Sequence, residues 1–192
     1  MGIIGFANEP LVDLFMHLVP IHLLLMLALV LWNHQSWNKN FFIFSTIVYV
    51  TSFVIEMLGT NTGLIFGEYA YGKTLGFKLW NTPLLIGVNW FILVYSMGCL
   101  LSRYRIHNSL LFAGIGATAL VMLDMLIEPI AMRFDYWQWA GNKIPLQNYV
   151  AWWLVAFIFM LIFNRLHFNK QNIVAVSLLI IQFLFFILLN LL

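Results

Sequence analysis

The stretch SLLFAGIGATALVMLDMLIEPIAM, residues 109–132, decides the fold of this chain. Apart from Asp124 and Glu128 it carries no charge. At about 1.5 Å per residue it is long enough to cross a hydrocarbon core of roughly 30 Å as a helix. An apolar segment of this length predicts a membrane-spanning helix, and similar segments lie on both sides of it.

Composition indicates that such segments make up most of the molecule. Of the 192 residues, 63% are apolar and only 8% are charged, and the mean hydropathy is +0.93, whereas a water-soluble surface needs many more polar residues. We predict an all-α fold, a polytopic membrane helical bundle of about six spans that forms one domain over residues 1–192. The expected spans are Leu11–Trp32, Phe41–Leu58, Pro83–Leu101, Ser109–Met132, Asn148–Asn164 and Ile173–Leu191.

The charged residues divide unequally between the two faces of the predicted bundle. All seven acids fall on the face that carries two long connections rich in glycine and aromatic residues, 59–82 and 133–147. The short loops of the other face carry five of the nine Lys and Arg residues, which favours a cytoplasmic basic face with both termini outside. We therefore expect a multi-pass protein of the cell membrane. Because the first residues lack Lys, Arg and a small-residue cleavage site, we expect no signal peptide.

The two long connections resemble each other and suggest an internal repeat of helical hairpins, about 41–101 and 109–164. Each follows a helix that ends in acids, contains paired aromatic residues, and leads into matching segments, PLLIGVNW at 83–90 and PLQNYVAW at 145–152. Proline is common at helix starts, so shared helix-start chemistry also explains the match. In either case the hairpins deliver acids, tyrosines and tryptophans to one side of the membrane.

Carboxyl groups inside a span are the strongest functional candidates, because an ionisable group in hydrocarbon costs several kcal/mol. Asp124 and Glu128 are four residues apart and share a helix face. Pro129 follows directly and is expected to kink or end the helix and to open space for water or substrate. Asp13 and His17 repeat the four-residue spacing, which predicts a pocket lined by both pairs. A buried hydrogen-bonded network without chemistry is the alternative.

Other chemistries find little support in the sequence. Only Asp13 and His17 have a partial metal-ligand spacing, so we predict no metal site. No phosphate-binding loop, dinucleotide fingerprint or nucleophile elbow occurs. A formal net charge of +2 gives no reason to expect a nucleic acid partner. Aromatic residues make up 17% of the chain; besides an interfacial belt, they provide ring faces that stabilise cations and flat walls for an elongated polyene.

Three motifs carry a resemblance to a known family. EMLGTNTGLIFGEYAYGKTLGFKLWNTPL at 56–84, DMLIEP at 124–129, and YWQW with IPLQNYVAWW at 136–153 are similar to segments of carotenoid biosynthesis proteins, which include carotenoid 1,2-hydratases. The resemblance implies that Glu56, Asp124 and Glu128 are the functional acids, with Glu128 standing where the family pattern predicts aspartate. It also implies hydration of the terminal double bond of an acyclic carotenoid, such as lycopene or γ-carotene, without a redox cofactor, as in routes to bacterioruberin and myxol-type carotenoids.

The implied hydro-lyase reaction suits these residues. It adds a proton to the less substituted alkene carbon and water to the tertiary cation that results. Burial can keep one acid protonated while a more solvated neighbour stays ionised. We expect Asp124 to be the general acid, Glu128 or Glu56 to orient water and His17 to support them; the reverse allocation also works. The candidates for cation stabilisation and substrate binding are Asp13, Tyr69, Tyr71, Trp90, Trp137, Trp139, Asn148 and Trp152.

Rival functions stay open at this point. A carotenoid end-group cyclase, or another isoprenoid-modifying membrane enzyme, needs the same acid and cation but must exclude water. A proton-coupled transporter would use the acids as a relay and needs a polar path to both faces. The opposite face offers only His34, His107 and His167 near its edge. Expected partners are the carotenoid, water and the lipid bilayer, together with a homo-oligomer or a complex with other carotenoid enzymes.

Overall fold

Six long helices dominate the computed structural model, which describes residues 9–192. The helices are α1 Glu9–Trp32, α2 Lys39–Thr62, α3 Leu85–Leu101, α4 Ser109–Arg133, α5 Leu146–Arg165 and α6 Ile173–Asn190. The predicted all-α helical bundle is confirmed, and every expected span corresponds to one helix. The expectation about a signal peptide falls on residues 1–8, which lie outside the described residues.

Five of the helices, all except α3, are long and apolar enough to cross a membrane, with mean hydropathy between 1.8 and 2.7. Helix α3 is apolar but has 17 residues, of which 14 are buried. It contacts each of the other five helices. The shortest helix is therefore the centre of the bundle, and the chain is a multi-pass membrane protein. Its orientation relative to the cytoplasm stays a prediction.

Asparagine residues begin the three helices that start on the basic face. The side-chain oxygens of Asn38, Asn108 and Asn172 accept backbone N–H groups in the first turns of α2, α4 and α6. These bonds satisfy donors that have no partner within the helix. At the opposite face, α2 ends at Gly63, whose φ of 68° is a conformation that glycine adopts without strain.

The two long connections contain short strands that pair with each other. Strand β1, Tyr69–Tyr71, lies antiparallel to β4, Trp137–Trp139, with Ala70 opposite Gln138. We call this pair of strands the aromatic ribbon. A second pair, β2 Lys78–Leu79 and β3 Thr82–Pro83, precedes α3. Because Pro83 belongs to β3, α3 begins at Leu85 instead of at the expected proline.

The two hairpins, α2–α3 and α4–α5, run in the same sense through the bundle. Each starts on the basic face, reaches the acidic face, contributes one strand to the aromatic ribbon and returns. This arrangement is what a duplicated hairpin predicts, and the duplication itself stays a prediction. Helix α4 continues through Pro129 to Arg133, so of the kink or end expected at this proline, the end does not occur and the kink stays a prediction.

Candidate active site

A small cavity lies between the aromatic ribbon and helices α2, α3, α4 and α5. Its volume is about 20 Å³, which is room for about one water molecule. Glu56, Asp124 and Glu128 line it, and these residues are only 1–3% exposed. Asp124 precedes the end of α4 by two and a half helical turns and thus lies about 14 Å inside that end. The structure brings together the three acids that the sequence singled out.

Three hydrogen bonds from its own hairpin hold the Glu56 side chain. The hydroxyl groups of Tyr69 and Tyr71 each donate to Oε2 at 2.7 Å, and Trp90 Nε1 donates to Oε1 at 2.9 Å. Tyr69 and Tyr71 are two residues apart on β1, so both side chains leave the strand on the same side. Both carboxyl oxygens of Glu56 are therefore engaged by donors.

Glu128 has an equivalent set of donors from the second hairpin. Trp137 Nε1 and Trp139 Nε1 donate to Oε2 at 2.9 and 2.8 Å, and Asn148 Nδ2 donates to Oε1 at 3.1 Å. The two tryptophans are two residues apart on β4, as the two tyrosines are on β1, so each pair of side chains leaves its strand on one side. Each glutamate is thus held by two side chains of one ribbon strand and one side chain of the helix that follows that strand.

Asp124 is bonded differently from the two glutamates. Its Oδ2 accepts one hydrogen bond, from Asn148 Nδ2 at 3.2 Å. Its Oδ1 is buried and has no hydrogen-bond partner among residues 9–192. Because the amide of Asn148 also donates to Glu128, this one side chain links the two acids of α4. Asp124 is the only acid of the three with an oxygen left free to bond a molecule in the cavity.

The register of the aromatic ribbon explains how four donors reach two acids. Tyr69 lies opposite Trp139 and Tyr71 opposite Trp137, and the ring centres within these pairs are 4.9 and 6.1 Å apart. Ala70 and Gln138, between them on the strands, are exposed. All four rings therefore point to the cavity and contact each other across the strands.

Burial, together with the neighbouring Glu56 carboxyl, raises the pKa of the Tyr69 and Tyr71 hydroxyl groups well above the usual tyrosine range. A tyrosine that loses its proton can no longer donate a hydrogen bond. With raised pKa values, both hydroxyls stay protonated at physiological pH and remain donors to Glu56.

The cavity wall provides carboxyl groups but no compensating cation. None of its described lining residues is Lys, Arg or His. Trp152 adds an aromatic surface to the wall and is itself stacked on Trp90. A site that combines several acids with aromatic faces, and holds no positive side chain, is electrostatically complementary to a cation. Among residues 9–192, no three His, Cys, Asp or Glu side chains are grouped as metal ligands would be.

Asp13 and His17 do not join the other acids, which corrects the expectation of one pocket lined by both pairs. Their side chains are 90% and 76% exposed on α1. His17 Nδ1 lies 2.7 Å from the backbone oxygen of Asp13 and 3.7 Å from its Oδ1. Their spacing places them on one helix face, as expected, but that face points away from the bundle. The supporting role of His17 and the substrate contact of Asp13 stay predictions.

Four cavity residues were missed by sequence reasoning: Phe66, Ile86, Asn89 and Ile127. The three apolar residues carry no signal that distinguishes them from the rest of a membrane protein. Asn89 does, because an amide inside an otherwise apolar helix is uncommon, and it immediately precedes Trp90. Apart from Trp90, the other predicted site residues from Tyr69 through Trp152 line the cavity. Trp90 lies behind it and reaches the site through its hydrogen bond to Glu56.

The family can be assigned by comparison with known proteins. A family profile described as carotenoid biosynthesis protein matches residues 16–192. The chain belongs to the carotenoid biosynthesis protein family. This confirms the resemblance seen in the motifs, and it extends the match from the central segment to nearly the whole chain.

One curated relative of this carotenoid biosynthesis protein is bisanhydrobacterioruberin hydratase from Haloarcula japonica. The two sequences are 30% identical over 120 residues, which is 59% of this chain and 41% of the relative. The match thus spans about two-fifths of the length of the relative. No solved structure matches the chain significantly.

Proposed function

We propose that this membrane protein is a carotenoid hydratase, which adds water across the terminal 1,2 or 1′,2′ double bond of an acyclic carotenoid end group. The observation that carries the proposal is the unequal bonding of the three buried acids. Glu56 and Glu128 each accept three hydrogen bonds, whereas Asp124 keeps one oxygen free in the cavity. A hydratase needs one acid that donates a proton to the alkene and another that orients the water molecule and accepts its proton.

Asp124 suits the first role. A protonated Oδ1 would give its proton to the less substituted carbon of the terminal double bond, and the π electrons would form the new C–H bond. The positive charge is then left on the neighbouring tertiary carbon. The acids and the aromatic faces around the cavity stabilise this cation, since opposite charge and electron-rich rings both attract it.

Water completes the addition. The oxygen of a water molecule bonds to the tertiary cation, and the excess proton passes to a carboxylate, for which Glu128 is the best placed because Asn148 links it to Asp124. Return of that proton to Asp124 restores the enzyme. The sum is one water added and no change of oxidation state, so the reaction needs no redox cofactor.

The volume of the cavity limits what it can contain. About 20 Å³ is room for one water molecule but not for a carotenoid end group. Substrate entry therefore requires movement of side chains at the cavity wall, and the polyene would approach from the bilayer, in which it dissolves. Lycopene, γ-carotene and the bisanhydrobacterioruberin of the relative's name are the substrates to test.

The experiment is expression in bacteria that accumulate these acyclic carotenoids, with pigments separated by liquid chromatography and weighed by mass spectrometry. Asp124→Asn removes the proton and keeps the shape, and Glu68→Gln is the matched control because Glu68 is an exposed loop acid. We expect pigment heavier by one water with wild type and Glu68→Gln. Loss of general acid catalysis should reduce this product by a factor on the order of 10²–10⁴ in Asp124→Asn.

The outcomes separate the candidate functions. A product of unchanged mass but altered retention would identify the cyclase reaction instead, since cyclisation isomerises the end group. Unchanged pigment with a correctly inserted wild-type protein would refute hydration and cyclisation of these carotenoids, and would leave another isoprenoid-modifying enzyme or a transporter.

A further inference from the structure

A second and larger cavity lies on the face opposite the acids. It is an open basin of about 1080 Å³, bounded by the loop after α1, the end of α3 and the loop before α6. We call it the basic basin. Arg103 and Lys170 line it, together with several amide side chains, and no Asp or Glu is among its described lining residues. The potential inside the basin is therefore positive.

The two cations of the basin differ in how they are held. Lys170 Nζ donates to the backbone oxygen of Asn164 at 2.9 Å and lies 5.1 and 5.6 Å from the ring centres of Phe163 and Phe168. These contacts fix its position. Arg103 is exposed, and its guanidinium group makes no hydrogen bond or ion pair with any residue from 9 to 192. Its guanidinium group is thus free to bind an anion with several N–H donors.

Uncharged donors add to this positive field. The side-chain N–H groups of Gln35, Asn169 and Gln171 have no hydrogen-bond partner within the described part of the chain, and all three residues line the basin. Helix α6 begins at its rim, directly after its capping residue Asn172. The N-terminal end of a helix carries a partial positive charge. Arginine, lysine, free amides and a helix start together form a set of donors. Among residues 9–192, only Lys170 Nζ and the capped first turn of α6 have an acceptor.

Exposed aromatic residues locate the basin relative to the bilayer. Trp32 and Trp37 flank the loop after α1 and are 89% and 50% exposed, and Tyr104, next to Arg103, is 63% exposed. Exposed tryptophan and tyrosine at the ends of membrane helices mark the level of the lipid headgroups. The donors of the basin thus face the depth at which lipid phosphates occur.

We propose that the basic basin binds a phosphate group, and that its source is the headgroup of an anionic phospholipid. Phosphate oxygens accept hydrogen bonds from arginine, lysine and amide N–H groups at once. Basic pockets between membrane helices bind anionic headgroups by the same chemistry. This site is separate from the acid cavity and does not depend on the hydratase reaction.

The test uses the full chain purified in detergent and native mass spectrometry. The protein is mixed with phosphatidylglycerol or phosphatidylcholine, which differ in net charge. Wild type should retain phosphatidylglycerol preferentially, and Arg103→Gln should lower the retained fraction about fivefold, the factor expected for one basic group at a membrane surface. The matched control is Arg105→Gln, because Arg105 is also an exposed arginine and does not line the basin.

A competition with inorganic phosphate identifies the source of the bound group. Displacement of phosphatidylglycerol by millimolar phosphate would support a site for phosphate alone, whereas persistence of the lipid would support recognition of the whole headgroup. Equal retention of the two lipids, or an equal loss in Arg103→Gln and Arg105→Gln, would overturn the proposal. Circular dichroism of each variant checks that its helices are intact.

Discussion

The indole rings of Trp90 and Trp152 stack with their centres 4.0 Å apart and their planes 25° from parallel. They occupy corresponding positions in the two hairpins, at the ends of the matching segments 83–90 and 145–152. Only Trp90 bonds to an acid, because its Nε1 donates to Glu56. The indole of Trp152 makes no hydrogen bond with any residue from 9 to 192. Both rings therefore contribute to packing, but only Trp90 also contributes a hydrogen bond to a carboxyl group.

Replacing each tryptophan by phenylalanine should therefore have unequal effects. Both Trp90→Phe and Trp152→Phe keep an aromatic ring, but only the first removes a donor to a carboxyl group. Hydrogen bonds to charged groups contribute about 1.5–3 kcal/mol, so we expect hydration activity to fall by roughly 10- to 100-fold in Trp90→Phe and far less in Trp152→Phe. Product formation in membranes, normalised to protein amount, measures both. Equal losses would contradict a separate polar role.

Asn148 should be needed for activity because its amide holds both acids of α4. In Asn148→Leu the oxygens of Asp124 and Glu128 lose this shared donor, and each buried acceptor without a partner costs about 1–3 kcal/mol. We expect a lower unfolding temperature and loss of product. Asn89→Leu is the control, since Asn89 lines the same cavity but makes no hydrogen bond to an acid among residues 9–192. If Asn148→Leu were as active and as stable as wild type, the hydrogen bonds from Asn148 to the two acids would be needed for neither activity nor stability.

The protein should lose stability in alkaline solution through its buried tyrosines. The pKa of Tyr71 is raised in the folded protein, so its contribution to stability is complete below about pH 10, the unfolded value, and is lost as the pH rises above it. The slope is at most about 1.4 kcal/mol per pH unit for one tyrosine. Thermal unfolding at pH values from about 8 to 11 measures it.

Two variants decide whether Tyr71 causes this alkaline loss. Tyr71→Phe should flatten the fall in unfolding temperature, while Tyr104→Phe should not, because Tyr104 is 63% exposed. Tyr69 continues to contribute in both variants, so the slope should decrease without disappearing. If the unfolding temperature of Tyr71→Phe fell with pH as steeply as that of wild type, groups other than Tyr71 would cause the alkaline loss of stability.

Glycine at position 59 should be required for the fit between α2 and the segment that leads to the aromatic ribbon. A Cβ at Gly59 would lie 2.6 Å from Phe66 Cδ2 and 3.4 Å from the Tyr69 hydroxyl oxygen. Gly59→Ala should thus destabilise the protein by about 1–3 kcal/mol. In Gly114→Ala, where nothing lies within 4 Å, we expect a neutral or slightly stabilising effect, up to about 1 kcal/mol. Unfolding temperatures in detergent compare them.

The orientation predicted from the charges can be tested directly. Fusing alkaline phosphatase after Leu192 in a bacterial host should give an active enzyme, since the expected topology places the C-terminus outside the cytoplasm. A green fluorescent protein fusion at the same point should be dark when exported through the general secretion pathway. Fluorescence with an inactive phosphatase would reverse the topology and place the acid cavity at the cytoplasmic face.

The spans were predictable because their signal is local. For α4, the expected Ser109–Met132 differs from the observed Ser109–Arg133 by one residue. Apolar length alone determines such a helix in a bilayer. The burial of Glu56, Asp124 and Glu128 in one cavity was suggested by their common face and by the family motifs.

The aromatic ribbon could not be predicted because its pairing joins Tyr69 to Trp139 across more than a third of the chain. Alternation within three residues is too short to distinguish a strand from a loop. The error at Asp13 and His17 has a similar origin. A four-residue spacing shows that two side chains share a helix face, but only the packing of α1 against its neighbours decides which way that face points.

The donors of each glutamate follow it closely in the chain. Glu56 is bonded by residues 69, 71 and 90, and Glu128 by residues 137, 139 and 148. During synthesis, each acid therefore enters the membrane just ahead of its own partners, and neither has to wait for the other half of the protein. The costly period in which a carboxyl group lies in lipid without a partner is limited to the time needed to translate one hairpin.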